Sequence, residues 1–195
     1  MKHKCILLMA LVSLLAIPAS AQTTWIIDGS HSAAHFQVKH LMISNVRGEF
    51  GKMSGKVVFD GKNYATVQVE AVIEVASINT REPKRDEHLR SADFFDAANH
   101  PTITFKSRSV QGIQGNNFKL AGDLTMRGVT RPVVLEVEAT PIVKGMRNEN
   151  RIGAQATTKL NRQDFGIKWN RTLDTGGVVV GNEVQVTIDL ELIQQ

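Results

Sequence analysis

Asp28, His31, Ser32, His35 and His40 fall in one short block that opens Trp25-Ile-Ile-Asp28. Those side chains suit two chemistries, and a second acid–histidine pair, Asp86 and His88, lies further along. Imidazoles beside a carboxylate suit a zinc ion, and an acid, a histidine and a serine suit a hydrolytic triad. Strand spacing argues against the metal. On one strand His31 and His35 share a face but stand about 13 Å apart, at roughly 3.3 Å per residue. His40 has the opposite parity and sides with Phe36 and Val38. For the triad there is no Gly-x-Ser-x-Gly elbow, and no acidic pair stands out for glycoside hydrolysis. The plainer reading of Asp28, His31 and Ser32 is a turn whose side chains pin a strand to backbone groups. The residues therefore predict no catalytic group, no metal and no cofactor.

What surrounds this block narrows the class. Lys2 and Lys4 precede an apolar run, Cys5 to Ile17, and Ala19-Ser20-Ala21 follows with small residues at the right spacing. This is the pattern of a cleaved export signal, and the run is shorter than the roughly 20 residues of a membrane span. The expectation is a signal peptide over 1–21 and one domain over 22–195, periplasmic or secreted. Cys5 is the sole cysteine, so the expected mature chain has no disulfide, thiolate nucleophile or thiolate metal site. Such a domain must rest on its own core. Removing Lys2 and Lys4 lowers the formal charge of +4 to +2. With no basic stripe interleaved with aromatics, nothing points to nucleic acid.

Positioning falls to β-strands. Val67, Val69, Ala71, Ile73 and Val75 alternate with Thr66, Gln68, Glu70 and Glu74, with Val72 as the exception. The same period of two runs through Phe118, Leu120, Leu124 and Met126, through Val133, Leu135, Val137 and Ala139, and through Val184 to Leu192. Such strands bury one face and wet the other. Weaker strands are predicted at 31–40, 46–51, 53–60, 102–110 and 150–160. Asp60-Gly61, Gln111-Gly112, Gly115-Asn116 and Gly176-Gly177 mark turns. Pro83 to Ser91 suits a short helix with Pro83 in its first turn, and Asp164 to Gly177 holds another short helix or a long loop. With so little helix, the apolar faces must meet each other in a sandwich or across a closed barrel.

The helical segment carries two compatible readings. Arg85, His88 and Arg90 face a ligand while Leu89, Phe94 and Phe95 line a mouth, or the segment is a solvated lid plugging one barrel end.

The chain resembles the YceI family of exported bacterial proteins. The resemblance rests on Trp25, Asp28, His31-Ser32, Phe36 and His40, on Arg47-Gly48-Glu49-Phe50, and on Ser77-Ile78-Asn79-Thr80. It continues through Arg85 to Phe95, Pro101 to Phe105, Gly122 to Thr130, and Asp164-Phe165-Gly166. It implies an all-β fold: a lipocalin-like antiparallel β-barrel of about eight strands, with one or two short helices and an apolar central cavity. It also implies an extended amphipathic lipid as ligand, with polyisoprenoids as the family's reference class, and homodimers in some members.

On that resemblance the expected cavity wall is Phe36, Val38, His40, Phe50, Val57, Phe59, Phe94, Phe95, Phe105, Leu124 and Met126. The expected head-group contacts are Arg85, His88, Arg127 and Arg131, the last two flanking a turn over Met126–Pro132. The expected function is non-catalytic sequestration or transport of a polyisoprenoid or other long-chain lipid. At about 0.8 kcal/mol per buried CH₂, a tail of ~40 carbons nominally gains ~30 kcal/mol. That exceeds the practical ceiling of roughly 18–21 kcal/mol, so ordering must consume much of it. The alternatives are capture of other lipophilic small molecules, or a lipid-processing hydrolase or isomerase using His31, His40 or His88.

Overall fold

The computed structural model describes residues 22–174 and 176–195; the expected signal peptide lies outside the described residues. Twelve strands follow one another: β1 (Thr23–Ile27), β2 (Ala33–His40), β3 (Ser44–Phe50), β4 (Met53–Phe59), β5 (Gln68–Glu74), β6 (Ile78–Asn79), β7 (Thr102–Gln114), β8 (Asn117–Met126), β9 (Val129–Ala139), β10 (Val143–Lys144), β11 (Asn150–Asn161) and β12 (Val180–Gln194). One α-helix, α1 (Pro83–Arg90), and three single 3₁₀ turns complete the described residues.

Eight of these strands close a ring in the order β11-β9-β8-β7-β5-β4-β1-β12, sealed by the long β11–β12 ladder from Arg151↔Ile193 to Asn161↔Glu183. Neighbours in the ring are antiparallel, so each strand presents one row of side chains inward and one outward. The rows divide as the period of two predicts. Val72, the apolar exception of β5, faces outward and is 37% exposed. Outward charges pair across strands, as in Lys56–Glu70–Lys106, Lys119–Glu136 and Lys159–Glu183. β2 takes over from β1 along β12, and β3 and β6 continue from it. The barrel wall is thus extended at the end where α1 lies.

Local chemistry explains the corners. Pro83 begins α1, where its missing N–H costs nothing, and the Glu82 side chain accepts from Lys84 N. The helix stops at Ser91, which is extended. The β8–β9 turn is narrower than the sequence suggests. It consists of Arg127 and Gly128, both at positive φ (51° and 72°), as a tight primed hairpin turn requires. Pro132 sits inside β9, where β9 has β8 beside it but no ladder to β11, which begins only at Glu136. A proline is tolerated at such a one-sided position. In the stretch 164–177, Asp164 and Phe165 end the 3₁₀ turn Arg162–Phe165, which left-handed Gly166 closes, and the described residues beyond it are irregular apart from a bridge between Thr172 and Val178. Close approach places glycines at several wall positions: for example, a Cβ at Gly48 would stand 2.5 Å from the Phe36 ring, and one at Gly122 2.5 Å from the Phe105 ring.

Candidate functional site

The inward rows do not fill the barrel. They enclose a cavity of about 240 Å³, larger than the ~150 Å³ apolar cavity that stays dry and binds benzene in a cavity-engineered lysozyme. Every ring strand contributes to the wall, β1 through Ile27 alone and β12 through residues that include Val184, Val186, Ile188, Leu190 and Leu192. The lining is apolar apart from His35, Tyr64, Thr158 and Arg162, and the ring nitrogens of His35 lie near Glu49 and Asp189 on the outside. An interior of this kind offers burial of hydrocarbon and almost no hydrogen bonding. A chain lipid matches it, and a polar metabolite would leave its groups unpaired.

Ten of the eleven expected wall positions line this cavity: Phe36, Val38, Phe50, Val57, Phe59, Phe94, Phe95, Phe105, Leu124 and Met126. His40 does not. It is the last residue of β2, opposite Val180, and the β2–β12 register shifts between Val180 and Val184. That irregularity ends the inward row at Val38, before the chain turns through Leu41 and Met42 at positive φ.

The helix end is closed by a packed plug. Phe94, Phe165 and Ile167 are buried there with Ile103 and Met126, and Leu89 and Phe95 pack against them. Phe95 meets Phe50 edge-on at 5.5 Å. The four residues expected at a head group are all used in holding this plug, and none lines the cavity. Arg85 donates through Nε to Thr80 Oγ1 (2.7 Å) and through a terminal nitrogen to Thr80 O. His88 Nε2 is 2.8 Å from Asp93 Oδ2, and its ring stands edge-on to Phe94 and Trp169. Arg127 donates to Gly166 O (2.6 Å) and Ala92 O (2.8 Å), and Arg131 Nε to Asp164 O. Backbone carbonyls and the Thr80 hydroxyl take up most of these donors, while the buried Arg127 Nε has no partner.

Arg162, which the sequence did not single out, is the deepest cation of this end and touches the cavity. It is 5% exposed. Its nitrogens donate to Gly181 O, Ile167 O, Trp169 O, Val180 O and Asn182 Oδ1, at 2.8–3.3 Å. No carboxylate is among these partners, and burial pushes its pKa down. Oriented carbonyl dipoles therefore stand in for a counter-ion. Asp86 is buried too, accepting from Thr80 N (2.8 Å) and Thr80 Oγ1 (2.5 Å).

The opposite end is closed by a side chain that the sequence reading also missed. Tyr64 starts the 3₁₀ turn Tyr64–Thr66 between β4 and β5. Its ring stacks on Phe59 (5.3 Å, 6°) and Phe118 (5.0 Å, 24°), and its hydroxyl donates to Asn116 Oδ1 at 3.4 Å. Partial burial pushes the phenol pKa up. The signal available in sequence was slight: it is the single tyrosine of the chain, just after the Asp60-Gly61 turn.

The block that invited metal and triad readings lies on the outside of the barrel. Asp28 Oδ1 accepts from Ser30 N (3.0 Å) and Ser30 Oγ (2.5 Å), and Asp28 Oδ2 is 3.0 Å from His31 Nδ1. Ser30 Oγ approaches that same Nδ1 at 3.1 Å. A relay needs acid and nucleophile on opposite ring nitrogens, and here both crowd one. Ser32 is buried and exchanges hydrogen bonds with the Glu191 backbone. Asp28, His31 and Glu191 bring ligand atoms within 4.8 Å of one another. The Arg151 guanidinium already bonds Asp28 Oδ2, Glu191 and Glu149, so a protein cation occupies the cluster. These bonds hold Asp28 well below the usual carboxylate range, with Ser30 and His31 as the leading causes, and Asp28 in turn raises His31. Asp86 and His88 do not pair either, since each has a different partner. Neither cluster has the geometry of an acid–histidine–nucleophile relay.

Known proteins agree with this architecture. The family model described as the YceI-like domain matches residues 25–192. UPF0312 protein SA2479 of Staphylococcus aureus (strain N315) is 36% identical over 170 residues, covering 87% of this chain and 96% of that protein. Among solved structures, a Campylobacter jejuni YceI protein superposes with a TM-score of 0.69 at 31% identity, covering 80% of this chain and 90% of that one. Burkholderia cenocepacia BcnA gives a TM-score of 0.74 at 25% identity, covering 85% and 98%. A polyisoprenoid binding domain from Saccharophagus degradans, implicated in plant cell wall breakdown, shares the fold at 15% identity and a TM-score of 0.67, covering 89% of this chain and 99% of that one. A closed barrel with an apolar interior, a match across nearly all of the described residues and a relative of this identity lead to one conclusion: the chain belongs to the YceI-like family.

Proposed function

We propose that this protein binds an extended amphipathic lipid, a polyisoprenoid or a similar chain, with its hydrocarbon inside the barrel, and carries or sequesters it without chemical change. The observation behind this reading is the cavity itself: about 240 Å³ whose wall is apolar but for His35, Tyr64, Thr158 and Arg162. Each methylene placed there gains roughly 0.8 kcal/mol, and little in the wall discriminates one hydrocarbon from another. The ten apolar positions from Phe36 to Met126 named above act as ligand contacts in this reading. The leader at 1–21 directs the protein to the periplasm or beyond, where a lipid in transit between membranes needs a cover from water. Support from a relative comes from the polyisoprenoid binding domain that shares the fold.

Organic extraction of the purified protein followed by mass spectrometry tests the reading. A chain lipid in stoichiometric amount is expected from the wild type. Recovery of a processed product in place of an intact lipid would favour the lipid-processing alternative. An empty extract, with no binding on adding lipid, would overturn the proposal.

A further inference from the structure

The interior is small for a long chain. Benzene's six carbons occupy an engineered cavity of ~150 Å³, so 240 Å³ has room for a segment on the order of ten carbons. A longer ligand must find space elsewhere, and the structure holds such a space directly beyond Tyr64. An open cleft of about 410 Å³ lies among the loops 61–64, 113–116 and 140–142. It shares two lining residues with the interior, Tyr64 and Ile152. Ile113 and Ile142 are exposed on its rim, at 43% and 39%, beside the polar Lys62, Asn63, Asn116 and Thr140.

From this placement we infer that Tyr64 is the length gate of the barrel: its ring ends the chamber for short chains, and its rotation joins chamber to cleft for long ones. The inference rests on the reading that the interior takes a hydrocarbon chain. Two further features fit a gate. The backbone beneath Tyr64 is fixed, because Asp60 Oδ1 accepts from Lys62 N (2.9 Å) and Asn63 N (2.7 Å) while Asn63 Oδ1 accepts from Ala65 N (3.0 Å). The side chain is held loosely, by two ring stacks and one hydroxyl contact of 3.4 Å, longer than a well-formed O–H···O bond. A side chain that can turn on a fixed loop changes the cavity's length without loosening the barrel. The helix end offers no equivalent. Its aromatics are backed by the buried Phe165 and Ile167 and by the fully engaged Arg162.

The test is a binding series of linear prenyl alcohols of increasing length, measured on wild type, Tyr64→Ala, Tyr64→Phe and Phe95→Ala. In the wild type, affinity rises with length and then breaks to a plateau. Tyr64→Ala moves that break to longer alcohols and tightens the longest relative to the shortest by at least about tenfold. Tyr64→Phe keeps the wild-type break, because its ring still closes the chamber. If Tyr64→Ala proves unstable, Tyr64→Leu removes the same ring. A break that stays in place with Tyr64→Ala, or moves with Phe95→Ala instead, overturns the gate while leaving interior binding intact. Failure of every alcohol to bind the wild type overturns the binding reading itself, and the gate with it.

Discussion

At the helix end of the barrel, α1, the Arg162–Phe165 turn and the loop after it stack buried aromatics over the strands, and the guanidiniums of Arg85, Arg127, Arg131 and Arg162 tie these pieces to backbone oxygens. At the other end one half-buried tyrosine ring lies between Phe59 and Phe118. Both closures seal the same apolar space, yet only the first is built from groups that cannot be moved without stranding polar atoms. The cations at the helix end thus serve the architecture, and the tyrosine end is the more lightly closed of the two.

Substitutions at the two ends should separate accordingly. The largest loss is expected for Arg162→Met, which abandons five acceptors in or near the buried plug. A cost of about 3–5 kcal/mol in urea-unfolding free energy follows from the penalties for buried unpaired groups. A loss below 1 kcal/mol would mean that water reaches those carbonyls and the plug is not sealed. Asp86→Ala comes next, at about 2–3 kcal/mol, because Thr80 N and Thr80 Oγ1 both lose their buried acceptor. Hydrogen exchange should show the added opening in α1 before the ring strands. At the light end, Tyr64→Ala should cost only about 1–2 kcal/mol, the worth of two ring contacts on a partly exposed residue. A destabilisation as large as that of Arg162→Met would erase the distinction between the ends.

The smallest effect lies outside both ends, in the surface cluster of half-buried Asp28 and Arg151 with exposed His31. The folded protein depresses Asp28, so its contribution is present above the ordinary carboxylate range and is lost as pH falls toward the depressed value. His31 is raised, so its contribution is complete below pH 6.5 and fades as pH rises through its higher folded value. Melting curves against pH for wild type and Asp28→Asn should therefore differ most in mildly acidic solution and converge in strong acid. Parallel curves at every pH would show that the cluster is no more than a solvated surface pair.

Much of this fold was legible in the chain. The inward rows of β5, β8, β9 and β12 follow from an alternation that a half-buried strand imposes; too little helix to cover them leaves a sandwich or a barrel, and the antiparallel barrel came from the family resemblance. The same alternation cannot tell a cavity wall from a filled core, since Leu124 and Val186 would read alike in either. His40 went astray because parity assumes a regular ladder, and a register shift in β12 ends the row one step early. The contacts of Arg127 and Arg131 could not be read from sequence, because their acceptors, Gly166 O, Ala92 O and Asp164 O, are carbonyls tens of residues away and carry no sequence signal. Arg162, set in the polar string Asn161-Arg162-Gln163-Asp164, looks like a surface loop until the 3₁₀ turn buries it. Tyr64 gave no pattern at all, because its role comes from the loop that lays it across the barrel.

Filling the chamber tests the central claim most directly. Ala156, 3% exposed on β11, points into the cavity opposite Val137 and Ile188, and Ala156→Phe would occupy the space a chain needs. Calorimetric titration of delipidated wild type with a long prenyl alcohol should give saturable one-to-one binding with a negative heat-capacity change, the mark of buried apolar surface. In Ala156→Phe that binding should disappear while the melting temperature is retained. Equal binding by the two folded proteins would place the lipid outside the barrel and contradict the account.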